Sequence, residues 1–178
     1  MVCTQNLDDV QKFNETEDEV DYLNKEIVKF LVKLTMAELD EKDRQYVISA
    51  INTMTDLERV GDYAENFMEA AVELKEDGVE FSEAAKEEIR HMHALVETMF
   101  NVTMGMYKDE DLSKLPTINQ LEDQVDLVTG DMVKNHVKRL TEGVCSFEAG
   151  STFISLVTNA ERVGDHVHNV ACSVAEFA

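Results

Sequence analysis

The 178-residue chain sets 37 acidic side chains against 16 lysines and arginines, a formal net charge of −21, and is 44% apolar. Such a charge repels a phosphate backbone and so excludes nucleic acid as a partner, while the apolar share is enough for a core without disulfides. Three cysteines, Cys3, Cys145 and Cys172, show no CxxC spacing and imply neither a disulfide framework nor a zinc knuckle. No run approaches the roughly 18 to 20 apolar residues of a membrane span, and "MVCTQNLDDVQKF" lacks the layout of a signal peptide, so a soluble cytoplasmic chain is expected.

One proline and seven glycines leave little strand punctuation. After an acidic N-terminal segment, 1–14, the periodicity predicts a first helix over 15–39, with Val20, Leu23, Ile27, Leu31 and Leu34 recurring at helical spacing. The second, 43–75, stops at "KEDGVEFS", where Gly78 ends a helix and Ser82 N-caps the third, 81–107, with Glu83 in its first turn. "DEDLSKLP" places Pro116 at the start of the fourth, 116–141. "TEGVCS", with Gly143, separates it from the fifth, 147–177. The short loops make successive helices antiparallel, so the expected fold is an all-α bundle of about five long helices.

The two halves repeat one another. "ERVGD" stands at Glu58–Asp62 and again at Glu161–Asp165. Upstream, Glu17-x-x-Val20-Asp21 matches Glu122-x-x-Val125-Asp126, and Val28-Lys29-x-x-Val32-Lys33 matches Val133-Lys134-x-x-Val137-Lys138, at nearly the same offset. Repeat one spans 15–77 and repeat two 78–178. The second begins with the helix 81–107 and is a three-helix unit, whereas in the first only the polar "QNLDDVQKFNE" stands where that helix would lie.

Residues four apart on a helix share a face with Cβ atoms about 5 to 6 Å apart, so each E-x-x-x-D presents two carboxylates together. Four such pairs result: Glu17/Asp21, Glu58/Asp62, Glu122/Asp126 and Glu161/Asp165. Packed in twos they would converge four carboxylates on a cation, and bridging carboxylates suit a multinuclear cluster; oxygen donors favour magnesium, manganese, calcium or iron, and zinc stays open as well. Asn66 and Asn169 continue the stripe by one turn, and His166 is a further candidate ligand in the second copy, where the first has Tyr63. Arg59 and Arg162 reach Asp62 and Asp165 at i+3, which keeps a purely structural ion-pair reading open. Gly61 and Gly164 cost about 1 kcal/mol each in mid-helix and point to close helix crossings beside the carboxylates. Glu88-x-x-His91 occurs once, without the duplicated partner that a di-iron oxidase requires, and the methionines Met92, Met99, Met104 and Met106 read as core.

"TDLERVGDYAENF" and "TNAERVGDHVHNV" resemble the paired signature of the PhoU family. The resemblance implies two three-helix repeats, here with the first repeat lacking its first helix, and E/D-x-x-x-D motifs that bind metal clusters. More narrowly, "VDYLNKEIVKFLVKL", "HVKRLTEGVCSFEAG" and "NAERVGDHVHNVA" resemble the cytoplasmic C-terminal region of bacterial sodium-dependent phosphate cotransporters. That implies a non-catalytic, metal-binding regulatory domain at the inner face of the plasma membrane. Its partner would be the membrane domain of a phosphate transporter, in the same chain or separate, and association into a homo-oligomer is compatible with the amphipathic faces. A stand-alone signalling adaptor and a carboxylate-bridged metal enzyme are the two alternatives.

Overall fold

The structure, a computed structural model, describes residues 1–177. Five long helices carry them: α1 (Val10–Leu34), α2 (Glu41–Glu76), α3 (Glu83–Asp109), α4 (Leu115–Thr141) and α5 (Phe147–Phe177), with a single 3-10 turn at Leu112–Lys114. The expected all-α architecture holds. Its boundaries follow local capping: Asp40 accepts from the Asp43 amide at 2.8 Å, Ser82 from Ala85 at 3.3 Å, and Ser146 from Ala149 at 3.1 Å. Gly78 takes φ of 63°, the left-handed turn that closes α2.

α1 departs from expectation, starting and ending five residues earlier than the periodicity predicts. At its start Asn6 accepts from the Asp8 amide at 2.9 Å, and Phe13 is drawn into an apolar groove, which brings the part of segment 1–14 from Val10 onward into the helix. At its end the Thr35 hydroxyl donates to the Val32 carbonyl at 2.7 Å, and the chain then turns towards the Asp40 cap.

α5 is the hub, packed against α2, α3 and α4, while α1 packs on α2. α3 and α4 meet through residues spaced by sevens: Ala85, Met92, Met99 and Met106 on one, Ile118, Val125 and Met132 on the other, all in the same buried cluster with Phe153, Val157 and Val167 of α5. Seven-residue spacing keeps one seam facing its partner along both helices. At the α4 C-terminal end, Glu88 accepts from Arg139 at 2.8 Å and from Asn135 at 2.9 Å, and the Arg139 guanidinium lies 5.0 Å over the Phe153 ring. Glu88 is therefore a core-edge anchor for α3, and His91 stands exposed beside it rather than completing a metal motif.

On α1 the anticipated apolar face is only partly used. Leu31 is buried, but Val20, Leu23 and Ile27 are exposed and Leu34 is half-buried, because no element among the described residues covers that side of the helix.

The duplicated motifs meet through a small-to-large contact. A Cβ on Gly164 would lie 3.2 Å from Val125 Cγ1, and one on Gly61 would lie 4.0 Å from Val20 Cγ1. Val125 is fully buried and cannot yield, whereas Val20 is free on one side. Gly164→Ala should therefore destabilise the protein despite the better helix propensity of alanine. Gly61→Ala should be neutral or stabilise by up to about 1 kcal/mol. Urea midpoints of the two variants check this; equal shifts of the same sign would refute the difference in packing.

Candidate functional site

In each copy the valine lies between the two carboxylates of one helix, and the glycine beneath it lies between the two of the other. This registration sets Glu17/Asp21 of α1 against Glu58/Asp62 of α2, and Glu122/Asp126 of α4 against Glu161/Asp165 of α5. The electrostatics record the approach. The Glu17 carboxyl is raised above its ordinary range by desolvation and then by Asp21, Glu65, Asp18 and Asp62, two of them on α2. Glu122 is raised by desolvation, Asp126, Asp123 and Asp165, with His168 pulling the other way. Glu161 is raised by desolvation, Asp165 and Asp126, against a smaller opposing effect of Arg162. Each station is thus a pool of negative charge with little compensation.

The pairing of helices matches the sequence expectation, but the convergence of side chains does not. Among the described residues no three His, Cys, Asp or Glu side chains come together as a metal-holding group. Like charges facing one another across a helix seam favour splayed rotamers. In station one Arg59 also draws Asp62 aside, donating from Nη1 to Oδ2 at 2.9 Å, and lies 4.0 Å from Glu58. The donor set is all oxygen in station one and remains chemically suited to a hard divalent cation.

The three further candidates are placed elsewhere. Asn66 is exposed. His166 and Asn169 reach across to α2, where Asp56 Oδ1 lies 2.8 Å from His166 Nδ1 and 3.3 Å from Asn169 Nδ2. Tyr63 stacks on the His166 ring at 5.8 Å between centroids. Tyr63 and His166 occupy the same place after ERVGD in the two copies, so equivalent positions of the two repeats meet at this stack. These side chains fasten one repeat to the other instead of extending the carboxylate stripe.

Asp56, Glu65 and His168 were not among the expected residues. Glu65 follows Asp62 at i+3 and could have been reached by continuing the stripe at helical spacing. His168 lies beside Glu122, with Nε2 2.9 Å from Asn119 Oδ1 and 3.7 Å from the Cys172 sulfur. Asp56 carries no signal of its own, since its partners lie on another helix.

The PhoU domain matches residues 1–71 and again 89–174, one match on each repeat. The chain belongs to the PhoU family. Among its relatives, the "phosphate-specific transport system accessory protein PhoU homolog 1" of Thermotoga maritima is 27% identical over 169 residues, 94% of this chain and 72% of that protein. The PhoU homolog of Pseudomonas aeruginosa is 25% identical over 162 residues, 90% of this chain and 66% of that protein. The crystal structure of PhoU from Pseudomonas aeruginosa superposes with a TM-score of 0.91 at 22% identity, covering 99% of this chain and 84% of that one. The first PhoU match takes in α1 and most of α2, and the second takes in α4 with most of α3 and α5, so each match holds one carboxylate station, a set of two opposed pairs.

Two outcomes follow for these PhoU stations. Glu122 and Glu161 hold their protons more tightly in the fold than in the unfolded chain, so their ionised forms oppose folding above their raised values. That opposition fades as pH falls through them towards 4.5 and below. Glu122→Gln combined with Glu161→Gln should then raise Tm at pH 7 in metal-free buffer, and the gain should vanish near pH 4; a gain independent of pH would contradict the electrostatic cause. Asp56→Ala leaves His166 and Asn169 without their partner and should lower stability by about 1 to 2 kcal/mol, read from the urea midpoint.

Proposed function

We propose that the chain is a PhoU-type accessory and regulatory protein of a phosphate transport system, without catalysis of its own. The observation that carries this reading is the double PhoU match in which each repeat holds two opposed carboxylate pairs. The relatives are named as accessory proteins of a phosphate-specific transport system. That favours a stand-alone adaptor over the alternative of a cytoplasmic domain fused to a sodium-dependent phosphate cotransporter. No helix of the described residues is long and apolar enough to cross a membrane. In this reading the chain acts on transport by docking on a membrane-embedded partner.

In this reading Glu17, Asp21, Glu58 and Asp62 hold one cation or small cluster, and Glu122, Asp126, Glu161 and Asp165 a second. The bound charge would supply neutralisation of the facing carboxylates. The residues themselves clamp α1 to α2 and α4 to α5, and the clamp makes the shape of the docking surface depend on metal.

Two measurements test this. Expression of the chain in a bacterium lacking its own PhoU should restore repression of a phosphate-starvation reporter; an unchanged reporter with folded, abundant protein would reject the regulatory role. Elemental analysis after supplementation should give stoichiometric metal, with Tm raised by several degrees, and both should be lost in the double variant Asp62→Ala, Asp165→Ala. Metal-free wild type under every supplementation would remove the metal role while leaving the adaptor reading standing.

A further inference from the structure

Four side-chain oxygens are closed off from solvent with no hydrogen-bond partner among the described residues: Asn24 Oδ1, Thr53 Oγ1, Thr103 Oγ1 and Thr129 Oγ1. An oxygen stripped of water and given nothing in return opposes folding, so each such atom calls for an explanation. Two of them are copies of one another. Asn24 and Thr129 are 105 residues apart, the offset that relates Glu17 to Glu122 and Asp21 to Asp126, whereas Thr53 has Leu156 as its counterpart at the 103-residue offset of ERVGD. The orphaned oxygen is therefore common to both repeats at this position, in spite of the change from amide to hydroxyl.

Its neighbours are the stations. Asn24 follows Asp21 by three residues and Glu17 by seven, and Thr129 follows Asp126 by three and Glu122 by seven, intervals that keep to one helix face. The helices of each pair run antiparallel about the valine-glycine contact. Glu17, three residues before Val20, lies within electrostatic reach of Asp62 and Glu65, which follow Gly61; Glu122, three before Val125, lies within reach of Asp165 and His168, which follow Gly164. Four residues beyond the valine, Asn24 therefore comes level with Glu58, and Thr129 with Glu161. The Thr129 hydroxyl is also withheld from its usual partner. Thr16, Thr55, Thr98 and Thr152 donate to the carbonyl one turn back at 2.7 to 3.2 Å, and Thr129 does not, although both α3 and α5 are packed on its helix.

We infer that Asn24 Oδ1 and Thr129 Oγ1 are cation ligands, each the neutral oxygen of an inner site formed with Asp21 and Glu58 in repeat one and with Asp126 and Glu161 in repeat two. The inference rests on the reading of the stations as cation sites and says where in each station the ion sits. A neutral oxygen adds a donor without adding to the crowded negative charge, and its burial draws the ion against the helix seam. It also bears on the lack of a three-member group of His, Cys, Asp and Glu at either station, since the third donor of each inner site is of none of these types.

The test uses the full chain and Mn²⁺ alone, with free Mn²⁺ read by electron paramagnetic resonance. The Asp165→Ala background isolates station one and Asp62→Ala isolates station two. Asn24→Ala should weaken Mn²⁺ binding at station one at least about tenfold, and Thr129→Val should do the same at station two, while Thr129→Ser stays within about threefold of its parent. Thr129→Val should also raise Tm in metal-free buffer, where a methyl group replaces an unpartnered hydroxyl, and shrink the rise in Tm that a fixed Mn²⁺ concentration gives the wild type. The metal-free Tm shows that each variant folds. Affinities that neither variant changes overturn the inference and leave the stations standing as cation sites. A wild type that takes up no Mn²⁺ overturns both. A gain in Tm from Thr129→Val that is equal with and without Mn²⁺ puts the hydroxyl outside the site and overturns the assignment for station two.

Discussion

Two acidic helix faces do not approach one another unaided. What holds them together is a valine seated on a glycine, Val125 on Gly164 and Val20 over Gly61, with apolar packing on either side of the contact. The missing side chain lets the backbones come close, and the close approach forces facing carboxylates into a strip with little positive charge. The carboxyls of Glu17, Glu122 and Glu161 are raised there, by desolvation first and by the neighbouring carboxylates second. The hydrophobic seam of α3, α4 and α5 tolerates that cost because its core is large and regular, with apolar side chains at every seventh position of α3 and α4.

The two repeats share a motif but not its surroundings. Station two lies on a helix pair whose seam is buried along its length, and its valine is locked in the core. Station one lies at the edge, where Val20 meets solvent and Arg59 competes for Asp62. The positions beyond each ERVGD have diverged as well: Glu65 and Glu69 on α2 stand where α5 has His168 and Cys172. Equivalent stations built from one ancestral pattern therefore present different donor chemistry and different rigidity to a cation.

The helices and the pairing of E-x-x-V-D with E-R-V-G-D were legible because both rest on local rules, namely helical periodicity, capping residues and the repeat of a five-residue string. The five-residue error in α1 arose where the local rules ran out. Phe13 is held by tertiary contact, and the polar residues around it gave no periodic signal. The same limit applies to His166 and Asn169. Asn169 continues the carboxylate stripe along α5 and His166 adjoins it, but their partner Asp56 lies on α2, and only the antiparallel crossing of those helices brings the three together. Side-chain convergence was beyond reach for a different reason: spacing fixes which carboxylates share a face, while rotamers answer to the whole local field.

Because α1 rests on α2 alone, whereas α3, α4 and α5 each rest on at least two neighbours, the free energy of local opening is graded along the molecule. Thin packing of this kind lowers the free energy of local opening most in the last two turns of α1, where Phe30 stands exposed and Leu34 is only half covered. The loosest element of the fold thus carries half of a carboxylate station, so anything that engages that station or covers that face acts on the part of the molecule that is easiest to order.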